Sequence, residues 1–285
     1  MLTIPLVISG LLVGAMLGLT GGGGSLLSVP ALIYFADLPV KNAVANSLAI
    51  VTITSFFALL LMAKRKNIDW RVGIIFSSIS VLGAFLGAKL AVFVPALVIL
   101  MLFYSVMLMS GFSMLKKAML KPQITKRPNI SIFKLASLGA GLGVFTGLVG
   151  AGGGFLVVPV LIIYAGLAVK VAVGTSLLVV SFKSLAAFIG YSSHAVIDYS
   201  LIGYLTALAA LGAMAGVLIG SRISESRLQI LFGLTIFISA ILLSAYEIIN
   251  WLDTVYVIPP YFSGGILVLF YSAIILVFRK RISKT

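Results

Sequence analysis

The chain has 285 residues, of which 61% are hydrophobic and only 9% are charged, and its formal net charge is +14. A soluble domain would be about one quarter charged and less than half apolar, so a water-soluble globular protein is excluded. The cations lie between long apolar runs, as they do at the ends of membrane helices, so the basic excess does not indicate nucleic-acid binding. The composition indicates an integral membrane protein. The absence of cysteine excludes disulfides and thiolate sites.

A helix that crosses a bilayer needs about 20 mostly apolar residues. In chain order, the apolar stretches are 3–36, 42–63, 72–94, 96–115, 134–165, 171–192, 200–220, 228–248 and 256–278. Seven of them are predicted to be full transmembrane helices. The other two, 3–36 and 134–165, are too long for one straight span, and glycines interrupt both. Alternating strands are absent, so the predicted fold class is an all-α polytopic membrane protein.

An internal repeat relates the two interrupted stretches. Residues 18–35 read GLTGGGGSLLSVPALIYF, and residues 147–164 read GLVGAGGGFLVVPVLIIY. The offset of 129 between Pro30 and Pro159 continues without gaps and brings Lys41 onto Lys170. Such repeats are characteristic of secondary transporters. The predicted organisation is a first membrane repeat at 1–115, a basic cytoplasmic linker at 116–133, a second repeat at 134–250, and an extra helix with a basic tail at 251–285.

The distribution of Lys and Arg predicts how the repeats are oriented. If each interrupted stretch crosses once, ten cations lie inside and nine outside. If each interrupted stretch breaks at its glycines and returns to the side from which it entered, the repeats are inverted. In that case 17 cations lie inside, and only Lys41 and Lys89 lie outside. The positive-inside rule favours inverted repeats, in the cell (inner) membrane, with the N-terminus outside and the C-terminus in the cytoplasm. Re-entrant hairpins and two unequal crossings both agree with this count.

The glycine runs are the first candidate site. Unpaired backbone groups cost several kcal/mol each in hydrocarbon, so the runs are expected to meet inside the bundle and line a cavity. A short helix follows each run, and its N-terminal N–H groups attract anions. Thr20 and Ser25 add hydroxyls to the first run. The alternative is that glycines only permit close helix packing. That interpretation suits Gly10, Gly14, Gly139 and Gly143.

Lys183 is the second candidate. It lies near the middle of 171–192, where an ammonium costs about 2.5–3.5 kcal/mol to insert. No carboxylate lies at its depth, which suggests that its partner is a bound anion. The alternative is that Lys183 snorkels or caps carbonyls of a broken helix. Polar residues at matching positions of the two repeats are predicted to lie close to Lys183. They are Asn46, Ser47, Thr175 and Ser176.

Other chemistry is not indicated. All six acidic residues fall at or near the ends of spans, so no carboxylate proton relay or sodium site is predicted. The chain has one histidine and no catalytic constellation, Walker loop or dinucleotide fingerprint. The sequence therefore predicts no enzyme activity, no metal and no cofactor.

The paired GxxGxGGGxxxVPxL-type motifs, at Gly18–Leu32 and Gly147–Leu161, resemble those of the TauE/SafE family of sulfite exporters and related permeases. The resemblance covers both halves, from residue 5 to about residue 250. The second run departs from the first, with Ala151 where Gly22 stands and Gly154 where Ser25 stands. The resemblance implies that the substrate is sulfite or another sulfur oxyanion or organosulfonate.

Together these observations predict a secondary transporter, specifically an exporter, that moves a small anion by alternating access. An anion channel and a membrane assembly protein without transport remain alternatives. The expected partners are the anion and the lipid bilayer, not nucleic acid, and a homodimer is left open. The predicted substrate-binding residues are Thr20, Gly21, Gly22, Gly23, Gly24, Ser25, Asn46, Ser47, Gly150, Ala151, Gly152, Gly153, Gly154, Thr175, Ser176 and Lys183.

Overall fold

A computed structural model describes residues 4–119, 132–150, 152–224 and most positions between 226 and 245. All regular secondary structure in these residues is helical, which confirms the predicted class. The helices with complete bounds are α1 (Ile4–Thr20), α2 (Gly24–Phe35), α3 (Val40–Ala63), α4 (Trp70–Leu90), α5 (Ala96–Met119), α6 (Ile132–Val149), α7 (Gly154–Ile163), α8 (Val169–Tyr191) and α9 (Tyr199–Arg222).

Five of these helices are long and apolar enough to cross a membrane: α3, α4, α8, α9 and residues Ala96–Lys116 of α5. They confirm the first five predicted straight spans. α4 ends at Leu90 instead of residue 94, and the chain turns before Pro95, which disfavours helical backbone at the residue before it. The predicted span 228–248 is helical at the positions described there. The span 256–278 and most of the linker lie outside the described residues.

Both long apolar stretches are interrupted where the sequence predicts. α1 ends at Thr20 and α2 begins at Gly24, while α6 ends at Val149 and α7 begins at Gly154. The backbone at Gly21, Gly150 and Gly153 has positive φ, at 76°, 72° and 62°, a region that side-chain-bearing residues rarely adopt. α2 folds back on α1, and the two helices are so close that a Cβ at Gly24 would lie 2.7 Å from Leu17 Cβ. The α1–α2 segment is therefore a helical hairpin.

The chain divides into two compact units, 1–241 and 242–285. Within the first unit, the most extensive helix–helix contacts each join one half of the sequence to the other half. α1 packs against α9, and its repeat counterpart α6 packs against α4. Glycines permit both contacts, since a Cβ at Gly14 would overlap the Ala209 carbonyl and one at Gly147 would overlap the Ala84 carbonyl. The close-packing interpretation is confirmed for Gly14. The predicted domain boundaries stay a prediction.

α3 and α8 are the most enclosed spans, with 67% and 72% of their apolar windows buried against at most 44% for the other three. Asn46, near the start of α3, bonds to the segment after α8, and Thr175, near the start of α8, bonds to the segment after α3. These counterpart helices therefore run in opposite directions.

The close contact between α4 and α6 predicts which glycines are replaceable. Gly143→Ala places a methyl group against the Ser80 backbone, with Ser80 Cα only 2.9 Å from the new Cβ, whereas a Cβ at Gly141 meets nothing within 4 Å. We expect Gly143→Ala to destabilise the protein by about 1–3 kcal/mol through overpacking. Gly141→Ala, on the same helix, should be neutral or slightly stabilising. Thermal unfolding in detergent measures both; equal melting temperatures would contradict the contact.

Candidate functional site

The two helix breaks meet inside the bundle. A Cβ at Gly22 would overlap the Gly154 backbone, and a Cβ at Gly154 would overlap Gly22 Cα. All residues of the first run, and those described in the second, are buried; Ala151 lies outside the described residues. The expectation that the runs meet is therefore confirmed, and the cavity that they are expected to line stays a prediction. This contact brings the start of α2 and the start of α7 to one place.

Backbone N–H groups are available at this meeting point. Among hydrogen bonds between described residues, none engages the amide of Gly22, Gly24, Gly152 or Gly153. The residues that precede α2 and α7, Gly23 and Gly153, have no side chain to cap those helices. Each helix N-terminus carries about half a positive charge. Two such ends in contact make this region electropositive without any side-chain cation.

Lys183 brings an amine, which carries a full positive charge when protonated, to the same region. It lies on α8, its side chain is 1% exposed, and its Nζ has no hydrogen-bond partner within the described part of the chain. A Cβ at Gly153 would lie 2.7 Å from Nζ, so the ammonium lies directly beside the start of α7. The Thr146 side chain contacts the same position. A buried ammonium is costly unless a counter-charge binds to it.

Two buried hydroxyls, one on α8 and one on α3, are also unpartnered among the described residues. The Ser184 hydroxyl is fully buried, and a Cβ at Gly152 would lie 3.0 Å from its Oγ. The Thr54 hydroxyl on α3 is buried in the same way, and Thr54 is the repeat counterpart of Lys183. Neither residue is in the predicted site. A sequence signal for Ser184 exists, because this residue follows Lys183 directly and aligns with another serine, Ser55, in the first repeat.

Thr20 and Ser25 shape the first break. Thr20 Oγ1 donates to the Met16 carbonyl and accepts from the Gly23 amide at 2.9 Å. Ser25 Oγ donates to the Gly22 carbonyl at 2.7 Å. Their hydroxyls satisfy backbone groups that the break leaves open. Any contact between these two hydroxyls and a ligand stays a prediction.

The side chains of Asn46 and Thr175 bond to the backbone of loops between helices, and any contact that they make with a substrate stays a prediction. Asn46 Nδ2 donates to the Val196 carbonyl at 3.0 Å, and its Oδ1 accepts from the Asp198 amide at 2.9 Å. Thr175 Oγ1 accepts from the Asp69 amide at 2.9 Å. Asp69 and Asp198 in turn cap the starts of α4 and α9. These reciprocal bonds fasten each half to the loop of the other.

Ser47 and Ser176, the other predicted polar pair, have different surroundings. Ser47 bonds to Ser28 of α2. Ser176 Oγ lies within 2.7 Å of both the Gly21 and Val173 carbonyls, so it lies at the edge of the first glycine run. The structure thus brings together the two glycine runs, Ser176 and Lys183.

Acidic and metal-binding groups are not part of this cluster. No group of His, Asp or Glu that could hold a metal is found among the described residues. The described acids, Asp37, Asp69 and Asp198, lie outside the helices, at their ends. The cluster is cationic and rich in hydrogen-bond donors, so an anion is the ligand that it can stabilise.

Comparison with known proteins identifies the family. The family model described as "Sulfite exporter TauE/SafE" matches residues 6–243. The chain belongs to the TauE/SafE family. The motifs at Gly18–Leu32 and Gly147–Leu161 lie within the match, which confirms the resemblance seen in the sequence. No solved structure matches the chain.

Relatives of this TauE/SafE protein carry transporter names. A "Probable membrane transporter protein" of Xylella fastidiosa is 32% identical, covering 82% of this chain and 91% of the relative. "Probable membrane transporter protein MJ0441" of Methanocaldococcus jannaschii is 30% identical over 81% of this chain and 91% of its own. The YdhB protein of Bacillus subtilis, with the same printed description, is 26% identical over 80% and 93%. Family and helices together identify a multi-pass membrane transporter.

The unpartnered Lys183 amine predicts an unusual stability change in this TauE/SafE protein. Replacing Lys183 by Met removes a buried polar group that has no hydrogen-bond partner among the described residues, and we expect the unfolding free energy to rise by about 1–3 kcal/mol. Lys170 on the same helix is the matched control, because its Nζ donates to the Ser221 carbonyl at 3.1 Å. Lys170→Met should not stabilise the protein. Thermal unfolding in detergent without added anion gives both values; a lower melting temperature for Lys183→Met would show that the lysine is structural.

Proposed function

We propose that this TauE/SafE protein is a secondary transporter, specifically an exporter, of a small anion that binds between the glycine breaks and Lys183. The observation that carries the proposal is the Lys183 ammonium, buried and unpartnered beside the start of α7. A bound anion would supply its missing partner. Sulfite, or another sulfur oxyanion or organosulfonate, is the proposed substrate.

The chemistry of the cluster supports an oxyanion. Lys183 offers an ammonium, Ser184 offers an unpartnered hydroxyl, and the amides of Gly152 and Gly153 have no partner among the described residues. Hydrogen bonds from such donors to a charged acceptor are about twice as strong as neutral ones. A sulfite or sulfonate group carries three oxygens that converging donors can satisfy. The printed family description, which names sulfite, supports sulfur as the central atom.

Alternating access is the proposed mechanism, and it requires two halves that exchange roles across the membrane. The opposite directions of α3 and α8 support inverted repeats, as does the charge distribution. In this arrangement the reciprocal bonds of Asn46 and Thr175 lie at opposite ends of the bundle, one towards each aqueous side. The glycine breaks lie between them. The homodimer stays a prediction.

Anion transport tests the proposal directly. Purified protein in liposomes should take up labelled sulfite with saturating kinetics, and sulfoacetate, taurine, sulfate and chloride serve as competitors. Lys183→Met should reduce uptake by at least about thirtyfold, equivalent to about 2 kcal/mol of lost ionic interaction. Lys170→Met should retain wild-type uptake. Ohmic conduction would indicate a channel, and absence of movement of any of these anions, or full activity of Lys183→Met, would contradict the proposal.

The membrane orientation has a separate test. With inverted repeats in the cell membrane, a fluorescent protein at the C-terminus should fluoresce, because the basic tail lies in the cytoplasm. A phosphatase that is active only outside the membrane should be active at the N-terminus. The reverse result at both ends would support single crossings by residues 3–36 and 134–165, with parallel repeats.

A further inference from the structure

We propose that Lys183 carries a proton together with the anion, so that each transport cycle moves one anion and one proton in the same direction. This inference rests on the proposed function and adds the coupling ion to it. The proton carrier is thus an amine, in a transporter whose described carboxylates lie at the helix ends.

The surroundings of Lys183 contain no group that could balance its charge. Four described helices pack against α8, namely α3, α4, α6 and α7. Their only ionisable side chains lie in the first or last turns: Lys41, Arg71, Lys89 and Lys134. On α8 itself Lys170 and Tyr191 lie at opposite ends. Within the described residues, Lys183 therefore faces hydroxyls and glycine backbone, with no carboxylate or histidine.

Two forms of the transporter have a binding site without net charge, and these are the forms that can reorient across the membrane. With an anion bound, the ammonium and the anion form a neutral pair. Without an anion, an ammonium in the protein interior costs several kcal/mol, and loss of its proton removes that cost. The empty transporter can therefore reorient to the loading side when Lys183 is a neutral amine, but not when Lys183 is an unpaired ammonium.

The proton step is simple and balanced. On the loading side, the Lys183 amine takes one proton from water and forms one N–H bond as the anion binds. On the release side, the anion departs and that N–H bond breaks, which returns the proton to water. The amine is restored, and no oxidant or other reactant is consumed. For a monovalent anion, no net charge crosses the membrane. The cycle is reversible, so it exports the anion when the outward anion gradient exceeds the opposing pH gradient and takes the anion up when an inward proton gradient drives it.

The difference between the repeats sets the number of protons. Thr54 occupies the position in α3 that Lys183 occupies in α8. A threonine hydroxyl is neutral and does not take up and release a proton as an amine does. The described site therefore contains one titratable group, which gives one proton for each anion. Two lysines at these positions would leave a second charge to balance.

The experiment compares exchange with net transport in liposomes, using labelled sulfite and labelled methanesulfonate. Methanesulfonate stays ionised at all pH values used, so proton movement with it cannot come from the substrate. An acidic exterior should drive net uptake by wild type, with alkalinisation of the exterior in an unbuffered medium. A potassium–valinomycin potential should not change methanesulfonate uptake.

Lys183→Arg separates the coupling from the binding, because a guanidinium keeps its charge but does not release its proton. The ratio of pH-driven net uptake to exchange of internal for external anion should fall by about tenfold or more in this variant. Lys41→Arg is the matched control, since Lys41 lies near the start of α3, where its Nζ donates to the Val92 carbonyl at 2.9 Å. It should retain both activities.

The outcomes distinguish the two proposals. If wild type exchanges neither anion, the proposed function fails, and the coupling fails with it. If wild type exchanges anions but shows no pH-driven uptake or no proton movement, only the coupling is wrong. Proton-driven net uptake by Lys183→Arg at the wild-type rate would assign the proton to another group and would also overturn the inference.

Discussion

The need to keep interrupted backbone away from hydrocarbon governs this structure. α1 and α6 each end partway along an apolar stretch, and the freed N–H and C=O groups cost several kcal/mol apiece if lipid surrounds them. The bundle places both interruptions in its interior, where Gly22 and Gly154 touch. Only residues without a Cβ permit that contact. The feature that makes these segments expensive in lipid thereby creates an electropositive centre.

The two repeats share a scaffold but differ in chemistry. Lys41 and Lys170, which are repeat counterparts, each donate to a carbonyl at the end of the fourth helix of their own half. Asn46 and Thr175 bind the backbone of Asp198 and Asp69, which are also counterparts. At the centre the equivalence ends, because Lys183 faces the breaks from one half while Thr54 stands in its place in the other. Symmetry therefore supports the movement proposed for transport, and asymmetry supplies the charge.

The sequence predicted the helices and their interruptions well, because apolar length and glycine position are local signals. It placed Gly21–Ser25, Gly150–Gly154 and Lys183 together through the repeat, since equivalent positions in related halves lie near a common centre. It did not predict the roles of Asn46 and Thr175 as ties to the opposite loops. Those bonds join residues more than 100 positions apart, and no local pattern distinguishes them from ligand-binding groups.

The sequence by itself determined the membrane class, the repeat, the breaks and the family, because hydropathy, glycine spacing and paired motifs are properties of the chain. Its lopsided charge predicts how the helices are oriented in the membrane, with Lys183 as the exception. Only the tertiary structure decided which polar groups have partners. Asn46 and Thr175 have partners, whereas Lys183, Thr54 and Ser184 have none among the described residues. Hydrogen bonds depend on distances between segments far apart in the chain, and packing alone sets those distances.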